Sequence, residues 1–216
     1  MKNLSAYFLS FLMMISMASC AQKVKKSNNK KIQKDLSALS QATFASGCFW
    51  CVEAVFESVK GVEEAVSGYA GGKEANPTYE SVSAHTGRHA ETVQVYYDPA
   101  VVSYATLLKV YFASQDPTQV KGQGPDHGES YRSIIFYRTP AEKMEAEKYI
   151  AEIQKKYSKP IAAELLPFVK FWVGEKYHQD YVKNNPGVGY VQGESIPRIK
   201  RFQKQFPELI KPDHKF

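Results

Sequence analysis

The chain has 216 residues, 44% hydrophobic and 23% charged, enough to build the core of one ordinary domain. Its formal net charge of +6 comes from the first 35 residues, which hold seven lysines against one aspartate; residues 36–216 sum to zero, which excludes a nucleic-acid binder by charge. Three cysteines, at positions 20, 48 and 51, exclude a disulfide-framework fold.

The chain starts with Lys2, then an uncharged apolar run from Leu4 to Met17, then the small residues Ala18 and Ser19 before Cys20. This pattern predicts an export signal over residues 1–19, too short for a comfortable membrane span. Its end resembles the cleavage site of bacterial lipoprotein precursors, which makes Cys20 the expected lipidation site and places the protein on a bacterial membrane, facing the periplasm or the exterior. Residues 20–39 are lysine-rich and polar, with almost nothing to bury, and read as a tether. Residues 40–216 are expected to form a single catalytic domain.

Within that domain Thr43-Phe44-Ala45 reads as a short strand ending at Ser46-Gly47. Phe49, Val52, Val55, Phe56 and Val59 then recur at helical spacing, and Gly61 ends the helix. Val62 to Tyr69 reads as extended. Gly68, Gly71, Gly72 and Asn76-Pro77 predict a loop, and Thr92 to Tyr97 alternates as a strand closed by Asp98-Pro99. A helix is expected around Tyr104 to Phe112, a long polar loop from Ser114 to Ser130, a strand over Ser133 to Tyr137 and an amphipathic helix from Ala141 to Tyr157. Phe168 to Val173 predicts another strand and Lys176 to Val182 a short helix. The remaining tail, with four prolines between 186 and 212, is expected to wrap the surface irregularly. The order strand–helix–strand–strand–helix–strand predicts an α+β fold: a two-layer α/β sandwich with a ferredoxin-like split βαβ core, a mixed sheet and extra helices.

Gly47-Cys48-Phe49-Trp50-Cys51 sits where a strand hands over to a helix. Unpaired N–H groups and the positive end of the helix dipole favour a thiolate at Cys48, so its pKa is expected to fall below the roughly 8.5 of a free cysteine. Cys51 lies one turn on and can face it, which permits a redox disulfide. A zinc site needs three or four ligands, and no further cysteine or histidine cluster accompanies the pair, so no metal is expected. Two aromatics beside a reactive thiol suit a small apolar substrate group, although Phe49 equally suits the core.

Here the chain resembles the A-type peptide methionine sulfoxide reductases. The resemblance starts at Gly47-Cys48-Phe49-Trp50 and continues through Gly68-Tyr69-Ala70-Gly71-Gly72, Pro77-Thr78-Tyr79-Glu80 and His89-Ala90-Glu91. It resumes at Gln115-Asp116-Pro117-Thr118, Tyr131-Arg132-Ser133 and Tyr177-His178-Gln179-Asp180-Tyr181, in the family order over residues 42–187. It implies reduction of the S epimer of methionine sulfoxide, free or in proteins. Cys48 is then the nucleophile and Glu91 the acid that protonates the sulfoxide oxygen. Tyr79 and Tyr131 are the hydroxyls that hold that oxygen, and Asp126 is a loop carboxylate that positions substrate. Phe49 and Trp50 wall the S-methyl group, and His178 and Asp180 form a scaffold beneath. Cys51 is expected to resolve a Cys48 sulfenic acid to a disulfide, restored by thioredoxin or an equivalent dithiol protein, with no bound cofactor. Many relatives carry resolving cysteines near the C-terminus; none follows Cys51 here. The expected partners are oxidised exported proteins, free methionine sulfoxide and a thioredoxin-like reductant, with the chain a monomer. Arg88 replaces a common glycine, and Glu129-Ser130 replaces a common Thr-Gln.

Overall fold

The computed structural model describes residues 35–215, of which Leu36 onward belongs to one compact unit. The expected export signal, the tether up to residue 34 and Cys20 lie outside the described residues.

Strand β1 (Ser40–Ala45) leads into helix α1 (Phe49–Glu57), strand β2 (Val62–Ala70), short helix α2 (Tyr79–Ser83), strand β3 (Ala90–Tyr97) and helix α3 (Tyr104–Ala113). The polar loop folds into a small hairpin, β4 (Gly122–Gln123) with β5 (Asp126–His127). Strand β6 (Ile134–Tyr137), helix α4 (Pro140–Gln154), β7 (Glu164–Pro167) and β8 (Phe171–Val173) follow. The chain ends with α5 (Tyr181–Asn184), a π-helical turn (Val191–Ser195) and α6 (Ile196–Gln205).

The six-stranded sheet has the order β7-β6-β1-β3-β2-β8. β3 lies antiparallel between β1 and β2, and β6 lies antiparallel on the other side of β1, which is the expected split βαβ arrangement. β7 alone pairs parallel, returning beside β6 through the α4 crossover, and makes the sheet mixed. Alternation along β1 sends Phe44 into the main core, where its ring stacks on Phe56 of α1 (5.1 Å) and Tyr111 of α3 (5.3 Å). Ala45 joins a smaller cluster with Ile134 and Phe136. The Arg138 guanidinium reaches Thr43 and Gln94 and lies 3.7 Å from the Phe168 ring centroid.

Three expectations are corrected. Gly68 lies inside β2, not in a loop: a Cβ there would sit 2.2 Å from the Trp172 carbonyl of β8, so the close strand approach requires glycine. Lys176–Val182 is not one helix: Asp180, at φ +54, separates a 3₁₀ turn from α5. The tail is more regular than its prolines suggest. Pro197 follows directly on the π-helical turn, where the regular hydrogen-bond ladder is already interrupted, and Ile199 and Phe202 are buried from α6.

The result is that α1 is enclosed on two sides, by the sheet and by the tail. Lys60 N–H donates to the Leu209 carbonyl and Lys211 N–H to that of Ser58, stitching the tail to the end of α1. In the middle of the helix Glu53, buried, accepts from Ser67 Oγ (2.7 Å) and from the Asp180 N–H (2.9 Å). Burial is the main cause that raises its pKa from 4.5 to about 8, against the pull of those two donors. The carboxyl is therefore neutral at pH 7. A group raised in the fold stabilises fully below pH 4.5, and its contribution is lost as pH rises through about 8. Glu53→Ala should cost about 1–3 kcal/mol in denaturant unfolding at pH 7 by orphaning two buried donors. Glu53→Gln should match wild type at pH 4 and exceed it at pH 9; lower stability of the Gln variant at pH 9 would show that the charged form is the one the fold holds.

Candidate active site

The turn from β1 to α1 is built around Gly47, at φ +71, whose N–H donates to the Tyr131 carbonyl (3.2 Å). A Cβ at 47 would lie 2.5 Å from Gln123 Cβ, so only glycine lets the hairpin pack here. Cys48 is the N-cap residue of α1, yet its side chain caps nothing. The first helical N–H, of Phe49, donates instead to Glu91 Oε2 at 3.0 Å. β3 carries Glu91 to this point opposite Tyr69 of β2.

Glu91 is 2% exposed, and its pKa is pushed up to about 8. Burial dominates; the Phe49 N–H pulls the other way, and the Asp126 and Cys51 charges add to the rise. A helix N-terminus offers a carboxylate about 0.3–2 kcal/mol, whereas removing it from water costs several kcal/mol. Desolvation therefore wins, and the carboxyl carries a proton at pH 7.

The expected lowering of the Cys48 pKa is not found. Burial raises it, followed by the interaction with Cys51 and the charges of Glu91 and Asp126. The helix-terminal donor that would have favoured a thiolate is taken by Glu91. Charge sits instead on Cys51, whose pKa falls to about 6. The hydrogen bond from Cys48 is the main cause and outweighs burial, with help from the Arg198 guanidinium, Ser195 and Tyr190. Both thiols are reduced and buried, 6% and 2% exposed.

Tyr79 opens α2, a region expected to be loop, where Thr78 and Ser81 form a reciprocal capping box. Its N–H donates to Glu175 Oε1 (2.9 Å), and burial, then Glu91, push its hydroxyl pKa up to about 12. Tyr131 follows the hairpin in a 3₁₀ turn, and its pKa is likewise raised by burial and then by Glu91. Both tyrosines therefore remain hydroxyls near a neutral carboxyl. Asp126, in β5, accepts from the Tyr190 hydroxyl (2.5 Å), and burial raises its pKa.

The aromatic wall divides in two. Trp50 is half-buried, stacks on Tyr181 at 3.7 Å and donates Nε1–H to His178 Nδ1 at 2.9 Å. Phe49 has no exposed surface: its ring packs against His178 (4.7 Å) and Tyr69 (5.8 Å). Phe49 thus sits behind Trp50, enclosed by the scaffold. His178 is the expected scaffold: fully buried, with its pKa lowered by burial, it touches Phe49, Trp50 and Tyr79. Because Nδ1 accepts from Trp50, the proton is on Nε2, which lies 3.8 Å from Glu175 Oε2. Asp180 does not pair with His178; it contributes the left-handed turn and the N–H that holds Glu53.

Sequence reasoning missed Glu175, Tyr190, Ser195 and Arg198. Glu175 joins Tyr69, Tyr79 and His178; a lone acid after a strand gives no signal of this. Arg198 falls in the tail expected to be irregular, where one basic residue among several gives no signal. The two departures from the family pattern find local partners. Arg88 is exposed, and its carbonyl accepts from Arg132 Nη2 (2.7 Å). Glu129 pairs with Lys121, and Ser130 Oγ lies 3.1 Å from His85 Nδ1. Among the described residues no group of three His, Cys, Asp or Glu side chains is placed to hold a metal ion.

Comparisons with known proteins agree with this geometry. Residues 40–210 match the family described as Peptide methionine sulfoxide reductase. A Rhodopirellula baltica relative named peptide methionine sulfoxide reductase MsrA 1 is 45% identical, covering 79% of this chain and 88% of its own. An MsrA from Thermus thermophilus is 46% identical over 79% and 97% respectively. Among solved structures, reduced Mxr1 from Saccharomyces cerevisiae superposes with a TM-score of 0.67 at 34% identity, covering 74% of this chain and 92% of that one. Methionine sulfoxide reductase A of Corynebacterium diphtheriae gives 0.62 at 31%, covering 68% and 74%. The chain belongs to the peptide methionine sulfoxide reductase family, as an oxidoreductase of the MsrA type.

Proposed function

We propose that the chain reduces the S epimer of methionine sulfoxide, free or within proteins, through a Cys48 sulfenic acid and a Cys48–Cys51 disulfide. The observation that carries this reading is the neutral Glu91 carboxyl, held by the Phe49 N–H beside Cys48 with Tyr79 and Tyr131 near it. A sulfoxide oxygen departs poorly until it is protonated, and a carboxyl that keeps its proton at pH 7 supplies one. Two tyrosine hydroxyls can hold the polarised oxygen without bringing charge. When Cys48 passes its proton to Cys51 through their hydrogen bond, it becomes the thiolate that attacks sulfur. Cys48 gains the oxygen as sulfenic acid, methionine leaves, and Glu91 recovers its proton from solvent. Cys51 then closes the disulfide, and a thioredoxin-like dithiol reopens it by exchange. The expected substrates include exported proteins damaged by oxidants. A lipid anchor on Cys20, motivated by the apolar run before it, would keep the enzyme at the membrane where those proteins pass.

A general thiol–disulfide oxidoreductase is the competing reading, since Cys-x-x-Cys permits it. Exchange has no oxygen to protonate, so Glu91 discriminates.

With dithiothreitol as reductant, the full chain should consume only the S form of dabsyl-labelled methionine sulfoxide. Cys51→Ser should release one methionine per enzyme and then stall with a dithiol protein donor. Consumption of neither form by folded, reduced protein would refute the proposed reaction. Glu91→Gln should lose about 10²–10⁴-fold in sulfoxide reduction while Cys48 still reacts with a disulfide reagent; equal loss of both would remove Glu91 as the acid. Wild-type turnover should fall as pH rises through about 8, where Glu91 ionises. The same ionisation is expected to cost the wild type stability between pH 4.5 and 8, so Glu91→Gln should unfold at higher temperature than wild type at pH 8 and not at pH 4. Mass spectrometry of the mature protein should find a lipid-modified N-terminal Cys20; an unmodified cysteine there would refute the anchor.

A further inference from the structure

Arg198, on α6, lines a groove that Cys51 also lines. The residue is 7% exposed, and its guanidinium donates to the Ser114 carbonyl (2.6 Å), the Ser46 carbonyl (3.0 Å) and Ser46 Oγ (2.9 Å). These oxygens satisfy its N–H groups but not its charge. Among the described residues, no ion pair within 4 Å involves Arg198. A buried cation whose N–H groups meet only neutral oxygens favours an anion nearby, and its charge acts on both the Asp126 carboxyl and Cys51. Cys51 lines the same ≈ 650 Å³ groove as Arg198. Its Sγ lies 3.1 Å from Ser195 Oγ, three residues before Arg198. Ser195 is buried and ends the π-helical turn, and such turns are frequent where a helix serves a functional site. Tyr190, at the other end of that turn, donates to Asp126 and also faces Cys51. Glu91 and Asp126 also bear on the pair: both raise the Cys48 pKa, since carboxylate charge disfavours a thiolate there.

Resting on the reaction proposed above, we propose that Ser195 and Arg198 form an anion cradle for the Cys51 sulfur and so give the Cys48–Cys51 disulfide a direction. In resolution, Cys51 sulfur attacks the sulfur of the Cys48 sulfenic acid. The S–O bond breaks, the S–S bond forms, and the hydroxide takes the Cys51 proton and leaves as water. In reduction, an external thiolate bonds to Cys48 sulfur, the S–S bond breaks, and its electron pair goes to Cys51, which leaves as the cradled thiolate. A second external thiol then displaces Cys48 and carries off the oxidation as the donor's own disulfide. Exchange is faster when the leaving sulfur is the better anion, so the adduct belongs on Cys48. Arg198 and Ser195 are positioning residues here; neither touches the sulfoxide.

The test uses the full chain carrying Cys20→Ser, so that only the pair reacts. The disulfide is formed with methionine sulfoxide in one sample and with diamide in another, then exposed briefly to 2-mercaptoethanol, quenched in acid and mapped by mass spectrometry. The adduct should favour Cys48 over Cys51 by about tenfold or more; an adduct shared equally, or mainly on Cys51, would overturn the proposal and make the groove the reductant's route. A disulfide that diamide forms and sulfoxide does not would count against the proposed reaction, while its adduct position still tests the cradle. Because Arg198 also braces Ser46, a structural role is separated by the thiolate absorbance of Cys51 in a Cys48→Ser background. Its titration should move upward by about one pH unit in Arg198→Met and in Ser195→Ala, and return in Arg198→Lys. If Arg198→Met does not fold, Ser195→Ala and Arg198→Lys still decide; an unmoved titration in folded Ser195→Ala would overturn the proposal.

Discussion

One hydrogen bond organises the site: the N–H of Phe49 to Glu91 Oε2. It ties the first turn of α1 to the middle of the sheet, and it occupies the helix terminus that the adjacent cysteine would otherwise use. A helix N-terminus favours anions, but only when the anion keeps enough solvation to exist. Inside this core it does not, so the carboxyl accepts the bond and keeps its proton. The fold thereby places an acid where reading the sequence predicts a thiolate. The charge that Cys48 does not hold moves one turn along, to Cys51, where the surroundings are cationic and donor-rich.

Enclosing α1 makes this possible. The helix is covered by the sheet on one side and by the tail on the other: its first N–H is taken by Glu91 of β3, and its buried Glu53 by Ser67 of β2 and Asp180 of the tail. Glu53 fixes the left-handed turn at Asp180, which sets His178 under Phe49 and Trp50. Glu175 then joins Tyr69 and Tyr79 on the same support. Trp50 and Tyr79 are therefore positioned by one tail segment, and a shift of that segment moves both.

Much of this was legible in the sequence because the signals are local. The strand–helix order gave the split βαβ core, and Gly47 with the Cys-x-x-Cys pair gave the turn that opens α1. Glu91, Tyr79, Tyr131 and Asp126 were legible only through the resemblance, since residues on four separate elements share no spacing. What escaped was what burial and long-range contact decide. Gly68 reads as loop until the Trp172 carbonyl is beside it. Phe49 reads equally well as wall or core until Tyr69 and His178 close over it. The direction of the Cys48 shift depended on whether Glu91 or Cys48 takes one N–H, which no local pattern records.

The tail shows how an absent residue type can be answered by a different chemistry. Relatives of the kind this chain resembles bring resolving cysteines near the C-terminus, and this chain has no cysteine after position 51. Its tail still returns to the pair, carrying Ser195 and Arg198 in place of a thiol. A mobile tail thiol must travel to Cys48, and that movement has an entropic cost that grows with the loop it closes. A resolver one helical turn away travels almost nowhere, and its difficulty is electrostatic, because two buried sulfurs so close cannot both ionise. Under the proposed cycle, a resolver in α1 needs a fixed cation beside it more than it needs a flexible tail. The buried, multiply bonded Arg198 and the regular α6 that carries it are what such a requirement would select.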